Sequence, residues 1–338
     1  MVNTTAVWRF FMSFFSFDGM HQSKKCAVIG CLGAGAAIAH ALAHSGLVDS
    51  LVLIDSDRRI SDGQAADICA SLPLRADTDV FAGDFSDLAD CALIVLASGS
   101  YALYENAHAD LISLNAPVIR RTVADLAAFS CSACILVVSE PIDAMTDIAM
   151  RYAGLPHERV FGIGTVAYTL QLRKMLAKYL GVDACCVEAM ILGQSGDCAT
   201  VCWSQARACG MPLSDYLSAR GRSGDVCVLH SLYEDILQMN MRAENAKGCA
   251  DFSLAQAVLP VADAVLNDRG TLFSLCTCTR GYGELLEGCM SLPCTVGRDG
   301  VHALPDIALA PAEFDQLIKS SIRLHAQSEL YAPSEIRT

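Results

Sequence analysis

Residues 26–35 read Cys-Ala-Val-Ile-Gly-Cys-Leu-Gly-Ala-Gly, a short apolar run that leads directly into a turn with three glycines. Residues 36–45 continue as Ala-Ala-Ile-Ala-His-Ala-Leu-Ala-His-Ser, which predicts a helix from Gly35 to about Ser45. A second apolar run, 51–54, ends in Asp55, 25 residues after Gly30. A strand, a glycine-rich turn, a helix and a second strand that ends in an acid together predict a dinucleotide-binding unit.

The glycine-rich turn departs from the usual pattern at one position. Gly30 and Gly35 fill its first and third glycine positions, but Leu32 fills the second, where the backbone should approach a pyrophosphate. Either Gly33 lets the loop take another shape, or the turn is kept only to pack the helix. Asp55 would accept hydrogen bonds from a ribose and repel a 2′-phosphate, which favours NAD over NADP.

The rest of the chain extends this unit into a two-domain α/β protein. Apolar strands predicted at 91–97 and 135–139 alternate with helices, including one near 61–72, and this alternation predicts a doubly wound parallel sheet. Helices predicted at 166–180, 226–247 and 312–330 are mixed with antiparallel-type strands at 186–192, 271–278 and 289–296. We therefore expect an arm at 1–23, a Rossmann-like dinucleotide-binding domain at 24–165 and an α+β domain at 166–338.

Composition narrows the function classes. The net charge of −13 works against binding to a phosphate backbone, so no nucleic-acid partner is expected. The 17 cysteines are odd in number and scattered, which indicates free thiols in a reducing cytoplasm, with Cys91, Cys185, Cys186 and Cys294 expected to be buried. The close pairs at 131/134 and 276/278 lack partners at zinc-site spacing, so no metal is expected.

The aromatic run at 8–17 is short and interrupted by Arg9. It is neither a membrane span nor a convincing signal peptide, and the alternatives are a subunit-packing or disordered arm and a degenerate targeting segment. We expect a cytoplasmic protein without a membrane partner.

Motifs along residues 24–332 resemble those of the lactate/malate dehydrogenase family. The matching segments are Ile191-Leu-Gly-Gln-Ser-Gly-Asp197, the Asp55–Gly63–Asp67 spacing, Gly83-Asp-Phe-Ser-Asp87, Ala97-Ser-Gly99, Val138-Ser-Glu-Pro-Ile-Asp143, Leu155-Pro156, Gly162-Ile-Gly-Thr165 and Pro293-Cys-Thr-Val-Gly-Arg-Asp-Gly300. Residues 155–165 favour the lactate branch. The resemblance implies an NAD-binding Rossmann domain followed by that family's α+β C-terminal domain, with the cofactor held at Gly30, Leu32, Gly35, Asp55, Ser98 and Gly99.

The resemblance also locates the catalytic positions, and each is substituted. The catalytic His is Ser195, the Asp that orients it is Tyr168, and the Arg that binds the substrate carboxylate is Gln171. Arg173 would point to another helix face. In the lid loop, expected at 99–115, the polarising Arg is His108 and the specificity residue is Ala102. The Asn near the nicotinamide is Glu140, expected to be a charged carboxylate that repels a keto acid, and the pocket Thr is Ala250.

These substitutions predict a protein that has lost 2-hydroxy-acid oxidoreduction, since a general base alone contributes about 10²- to 10⁴-fold. Such a protein would act in binding or subunit interaction, as a homo-oligomer or a hetero-oligomer with an active relative. The alternative is an NAD-dependent oxidoreductase of the same fold that uses Glu140 and His108 on a neutral or cationic substrate, or Ser/His chemistry. A third interpretation is that His108, Glu140, Tyr168 and Ser195 merely fill a vacated pocket.

Overall fold

The computed structural model describes residues 24–99, 108–129, 132–196, 198–304 and 307–328. In the first half, the elements are β1 (Lys25–Ile29), α1 (Ala34–His44), β2 (Ser50–Ile54), α2 (Arg58–Ser71), β3 (Asp79–Ala82), β4 (Leu93–Leu96), α3 (His108–Ala128), β5 (Cys134–Val137), α4 (Ile142–Tyr152) and β6 (Val160–Gly162). Strands β3-β2-β1-β4-β5-β6 pair in parallel in that order. This is the doubly wound order of a dinucleotide-binding domain, as predicted.

The second half has the expected mixture of long helices and antiparallel strands. Its elements are α5 (Val166–Leu180), β7 (Val187–Glu188), β8 (Ile191–Gly193), β9 (Ala199–Val201), β10 (Arg207–Ala208), β11 (Met211–Pro212), α6 (Leu213–Ala219), α7 (Val226–Lys247), α8 (Asp251–Leu266), β12 (Thr271–Cys278), β13 (Cys289–Gly297), β14 (Gly300–Ala303) and α9 (Pro311–Ser328). Strand β12 pairs with β6 where Cys276 meets Gly162, so the parallel sheet continues into the antiparallel strands β12-β13-β8-β9. The sequence did not predict this continuity.

The core forms because the central strands are apolar on both faces. Every residue of β4 and β5 is buried, as are four of the five residues of β1. Helix α1 presents Ile38 and Leu42 to this core and packs against α8. Strands covered by helices on both faces need such uninterrupted apolar runs.

Several local predictions need correction. Helix α2 begins at Arg58 rather than near Ser61, because the Asp57 side chain accepts a hydrogen bond from Arg59 N and caps the helix earlier. The single strand expected at 186–192 is two strands: β7 pairs with β10 in a separate three-stranded sheet, whereas β8 joins the large sheet.

The expected thiol burial and lid length also need correction. Cys91 and Cys294 are buried as predicted, but Cys185 and Cys186 are exposed, since they lie in a short turn that precedes β7. The lid was expected to extend to Asn115, but α3 already begins at His108. Helix hydrogen bonds therefore occupy the second half of the expected loop.

Among the described helices, no single one is long and apolar enough to cross a membrane; one pair, Cys227–Lys247 with Asp251–Leu266, passes the same test jointly but is bent by 118°. The predicted N-terminal arm and Ala102 lie outside the described residues.

Candidate active site

The turn between β1 and α1 depends on two glycines. Gly30 has a φ of 93°, and a Cβ there would lie 2.7 Å from Ala97 O. A Cβ on Gly35 would lie 1.8 Å from Gly30 O, so only glycine allows the helix to approach the strand this closely. The N-terminus of α1 follows this turn directly, and a helix N-terminus is where backbone amides and the helix dipole favour the phosphates of a dinucleotide.

Leu32 does not disrupt this turn. Its carbonyl accepts a hydrogen bond from Gly35 N at 3.0 Å, and its side chain is 55% exposed rather than packed in the core. Gly33 precedes the helix with a φ of 52°, a conformation that glycine adopts easily. The loop therefore keeps a tight turn with the leucine on its solvent side.

Asp55 directly follows β2, beside the same turn. Its Oδ2 accepts a hydrogen bond from Cys31 N at 2.8 Å, and its Oδ1 accepts one from Asp57 N at 3.1 Å. Burial, followed by the Asp55 charge, raises the pKa of the Cys31 thiol to about 12. A carboxylate fixed next to the turn, with the two glycines, fits the ribose and pyrophosphate of NAD.

Ser98 and Gly99 follow β4, on the side of the sheet where the carboxyl ends of β1 and β2 also lie. Ser98 Oγ donates to Ile29 O at 3.2 Å, which joins the ends of β4 and β1. Gly99 has a φ of 129°, and a Cβ there would lie 2.8 Å from the Asn115 side chain. The chain therefore enters the lid beside α3. His108 is the first residue of α3, and its side chain lies outside the described part of the structure.

Ser195 lies two residues after the end of β8, at the expected catalytic position. Its backbone N donates to Asp143 Oδ2 at 3.0 Å. Its Oγ is buried and has no hydrogen-bond partner among the described residues. Asp143 itself is only 5% exposed, and burial raises its pKa to about 6. The hydroxyl is therefore not activated by any described base.

Tyr168 and Gln171, on α5, are both neutral. Burial, with further repulsion from Glu244 and Glu140, raises the pKa of the Tyr168 phenol well above its ordinary value of 10.0. Gln171 forms a reciprocal amide pair with Asn240 of α7: Asn240 Nδ2 donates to Gln171 Oε1 at 2.8 Å, and Gln171 Nε2 donates to Asn240 Oδ1 at 3.3 Å. Neither residue supplies the charge that orients a base or binds a carboxylate.

Arg173 does not replace the missing guanidinium. Its Nε donates to Ala189 O at 3.1 Å, which directs it toward the segment between β7 and β8, and burial lowers its pKa. At the other expected pocket position, Ala250 immediately precedes α8 and contributes no polar side chain.

Glu140 differs from its expected charge state. Its carbonyl accepts a hydrogen bond from Asn115 Nδ2 at 2.7 Å, and its side chain is half-buried before α4. Burial raises its pKa to about 8, and the carboxyls of Glu244 and Asp143 add to this rise. A pKa near 8 favours the protonated form of Glu140 at neutral pH, in contrast to the charged carboxylate expected from the sequence.

The structure brings Glu140, Tyr168 and Ser195 to one region together with two acids that the sequence argument did not assign. These are Asp143, which contacts Ser195, and Glu244 of α7, which repels both Glu140 and Tyr168. The segment 138–143 gave a signal for Asp143, since this acid lies three residues after Glu140 in the same family-like segment. Nothing in the pattern of α7 pointed to Glu244. No group of His, Cys, Asp and Glu within the described ranges could hold a metal ion.

The parallel sheet in the order 3-2-1-4-5-6, with a pyrophosphate-type turn and a ribose-type acid, defines the class of NAD-binding, two-domain α/β proteins related to dehydrogenases. The family model for the lactate/malate dehydrogenase NAD-binding domain matches residues 24–162, and the model for the alpha/beta C-terminal domain matches residues 169–332. The chain belongs to the lactate/malate dehydrogenase family.

Individual relatives agree with this assignment. An L-lactate dehydrogenase of Treponema denticola is 31% identical over 309 residues, which cover 90% of this chain and 96% of that protein. A lactate dehydrogenase enzyme from a Medee basin deep-sea metagenome library has a TM-score of 0.84 at 27% identity, covering 91% of this chain and 98% of that one. The minor L-lactate dehydrogenase from Enterococcus mundtii has a TM-score of 0.84 at 26% identity, covering 92% and 99%.

Proposed function

We propose that this protein binds NAD but does not turn over lactate or malate at a useful rate, and that it acts as a binding or subunit-interaction protein. The observation that carries the proposal is the environment of Ser195. Its amide is bonded to Asp143, and its buried hydroxyl meets no described base. In the family reaction a residue at this position must move the hydroxyl proton, and a neutral serine cannot do so at neutral pH.

The residues that would hold NAD are those around the first turn. The pyrophosphate would lie at Gly30, Gly35 and the N-terminus of α1, and the adenosine ribose would lie at Asp55. Ser98 and Gly99, at the start of the lid, would also contact the cofactor. NAD, when bound, supplies a carrier for hydride. At the position where the family binds the substrate carboxylate, Gln171 is neutral and paired with Asn240, so it supplies no charge for this group.

Two measurements test the proposal. Titration calorimetry with NAD⁺ and NADH in the absence of substrate is expected to show binding, and absorbance at 340 nm with pyruvate, oxaloacetate, lactate or malate is expected to show no turnover above background. Turnover of any of these acids at an enzyme's ordinary rate contradicts the loss of activity, whereas failure of both dinucleotides to bind removes the cofactor part alone.

A subunit-interaction role predicts assembly. Size-exclusion chromatography with light scattering, for the protein alone and mixed with an active relative from the same cell, is expected to show a dimer or larger assembly. A monomer under both conditions contradicts this role. Localisation to the cytoplasm is part of the same proposal and is testable by cell fractionation.

The second candidate is an oxidoreductase with a different substrate, and the acid cluster favours it. Glu140, Asp143 and Glu244 would attract a cationic group, and a protonated Glu140 would donate a hydrogen bond to a neutral oxygen. Only above its pKa of about 8 would an ionised Glu140 instead accept a proton from the substrate, so this candidate predicts oxidation that rises with pH through this range. Reduction of NAD⁺ with neutral alcohols or amines that is lost in Glu140→Gln supports this candidate; no reduction with either class rejects it.

A further inference from the structure

Strands β12 and β13 place two cysteines opposite each other. In the antiparallel pair β12–β13, Cys278 is the register partner of Cys289. At the neighbouring pair, Thr279 N donates to Gly288 O at 3.0 Å, so that pair is hydrogen-bonded. Because hydrogen-bonded and non-bonded pairs alternate along antiparallel strands, Cys278 and Cys289 form a non-bonded pair.

The position of a proline confirms this alternation. Pro293, which has no N–H, is opposite Ser274, four residues before Cys278 and therefore in the same class of pair. Opposite residues in a non-bonded pair have Cα atoms about 4.5 Å apart, with side chains on the same face. This separation is within the range of about 4.4–6.8 Å that a disulfide spans.

Both thiols line one cavity of about 350 Å³ on the side of the sheet where α4 packs, among residues that include Arg151 and His325. Cys289 is buried, and its Sγ lies 3.8 Å from Met150 Sδ. Cys278 is partly exposed in the same cavity. A small reagent can therefore reach Cys278 before its buried cross-strand neighbour Cys289.

Other cysteines nearby do not share this arrangement. Cys276 is on the same face as Cys278 but is opposite Ser291, and Cys294 is an odd number of residues from Cys289 and so faces the other side of the sheet. In the small sheet, Cys209 N donates to Cys186 O at 2.7 Å, which makes that pair hydrogen-bonded and keeps its side chains farther apart.

We propose that Cys278 and Cys289 form a reversible cross-strand disulfide by exchange with a low-molecular-weight disulfide. The Cys278 thiolate attacks one sulfur of the reagent, forms a mixed disulfide and releases one reagent thiol. Cys289, whose Sγ lies 3.8 Å from Asp147 Oδ1, then attacks Cys278 Sγ as its own proton leaves, and the departing reagent sulfur takes up a proton and is released as the second thiol. Two protein thiols are oxidised to one disulfide, and the reagent disulfide is reduced to two thiols.

The disulfide would close the segment 279–288, which contacts α9. Leu286 N donates to Ser321 Oγ at 3.4 Å, and His325 Nδ1 lies 2.9 Å from Glu287 O. Closing a loop of this length is expected to lower the equilibrium constant for unfolding by about 100-fold and to slow amide exchange in 279–288.

The test uses the folded full chain, equilibrated with reduced and oxidised glutathione, then alkylated and digested with trypsin. Cleavage after Arg269, Arg280 and Arg298 leaves Cys278 and Cys289 on separate peptides, so the disulfide appears as one linked species in the mass spectrum. Fragmentation should assign it to these two cysteines. Cys278→Ser and Cys289→Ser should each abolish it, and the control Cys294→Ser should retain it.

Either of two results overturns the proposal. One is the absence of the linked species in the wild-type chain at a redox poise where the exposed thiols of Cys69 and Cys185 are fully modified. The other is persistence of the linked species in Cys278→Ser through Cys276. Because the wild-type measurement needs no substitution, the test does not depend on whether a variant folds.

Discussion

Replacing Glu140 by Gln tests the acid cluster at the centre of the site. Burial, together with Glu244 and Asp143, holds the pKa of Glu140 near 8 instead of its ordinary 4.5. Between these two pH values the folded protein keeps a proton that the unfolded chain has released, so the stability of the wild type falls as pH rises from 4.5 to 8. Glutamine is neutral throughout and removes this dependence.

The magnitude follows from the two pKa values. One pKa unit corresponds to about 1.4 kcal/mol, so the full shift of the Glu140 pKa would change the free energy of unfolding by about 5 kcal/mol. Glu140 is half-buried and shares its environment with Asp143 and Glu244, and such coupling spreads the effect over several groups. We expect the free energy of unfolding of Glu140→Gln, relative to that of the wild type, to rise by about 2–3 kcal/mol between pH 4.5 and pH 8 and to change little above pH 8.

Urea unfolding, followed by circular dichroism at pH 5, 6.5 and 8, gives the free energy of unfolding for both proteins. The exposed Glu234 of α7 provides a matched control, since Glu234→Gln removes the same charge from a solvated position. Two results would refute the raised pKa of Glu140. One is a difference in the free energy of unfolding between Glu140→Gln and the wild type that stays constant with pH. The other is the same pH dependence in the control variant.

Three further predictions concern packing and catalysis. Gln171→Leu should lower the free energy of unfolding by about 1–3 kcal/mol, because it removes both hydrogen bonds between Gln171 and the buried Asn240 amide and leaves Asn240 only its bond to Ile236 O. Chemical denaturation measures this loss, and a loss below about 0.5 kcal/mol contradicts it. Gly35→Ala should cost at least about 2 kcal/mol because its Cβ meets Gly30 O, whereas Gly63→Ala, in open space on α2, should stabilise by about 0.5–1 kcal/mol; equal effects in thermal unfolding would reject the close packing. Ser195→His alone should leave lactate oxidation undetected in a 340 nm assay. Adding Gln171→Arg should raise the rate at least about 10²-fold above that limit. Full activity from the single change would contradict the role assigned to the carboxylate-binding position.

The sequence predicted the fold because its signals are local. An apolar strand, a glycine turn and an acid at the next strand end require only neighbouring residues, and the structure has Gly30, Gly35 and Asp55 in these places. Helices α5 and α7 have the predicted limits. The errors at 61 and at 186–192 arose where a side-chain cap and a change of partner sheet, rather than periodicity, determine the boundaries.

The candidate site was only partly predictable. The sequence predicts which family positions are substituted, including Ser195, Tyr168 and Gln171, because a family pattern assigns a residue type to each position. It could not predict that Gln171 pairs with Asn240, since these residues lie on different helices and only helix packing brings them together.

By itself, the sequence determined the family and the dinucleotide-type turn, and it predicts that Ser195 stands where the family has its histidine. Only the tertiary structure gave the raised pKa of Glu140, because that depends on burial and on Glu244, about one hundred residues away in the chain. It likewise decided that Cys278 faces Cys289, because strand register is set by pairing between segments. The residue type at each position can be read from the sequence alone, whereas the pKa of a side chain and the register of two strands depend on which distant residues fold next to each other.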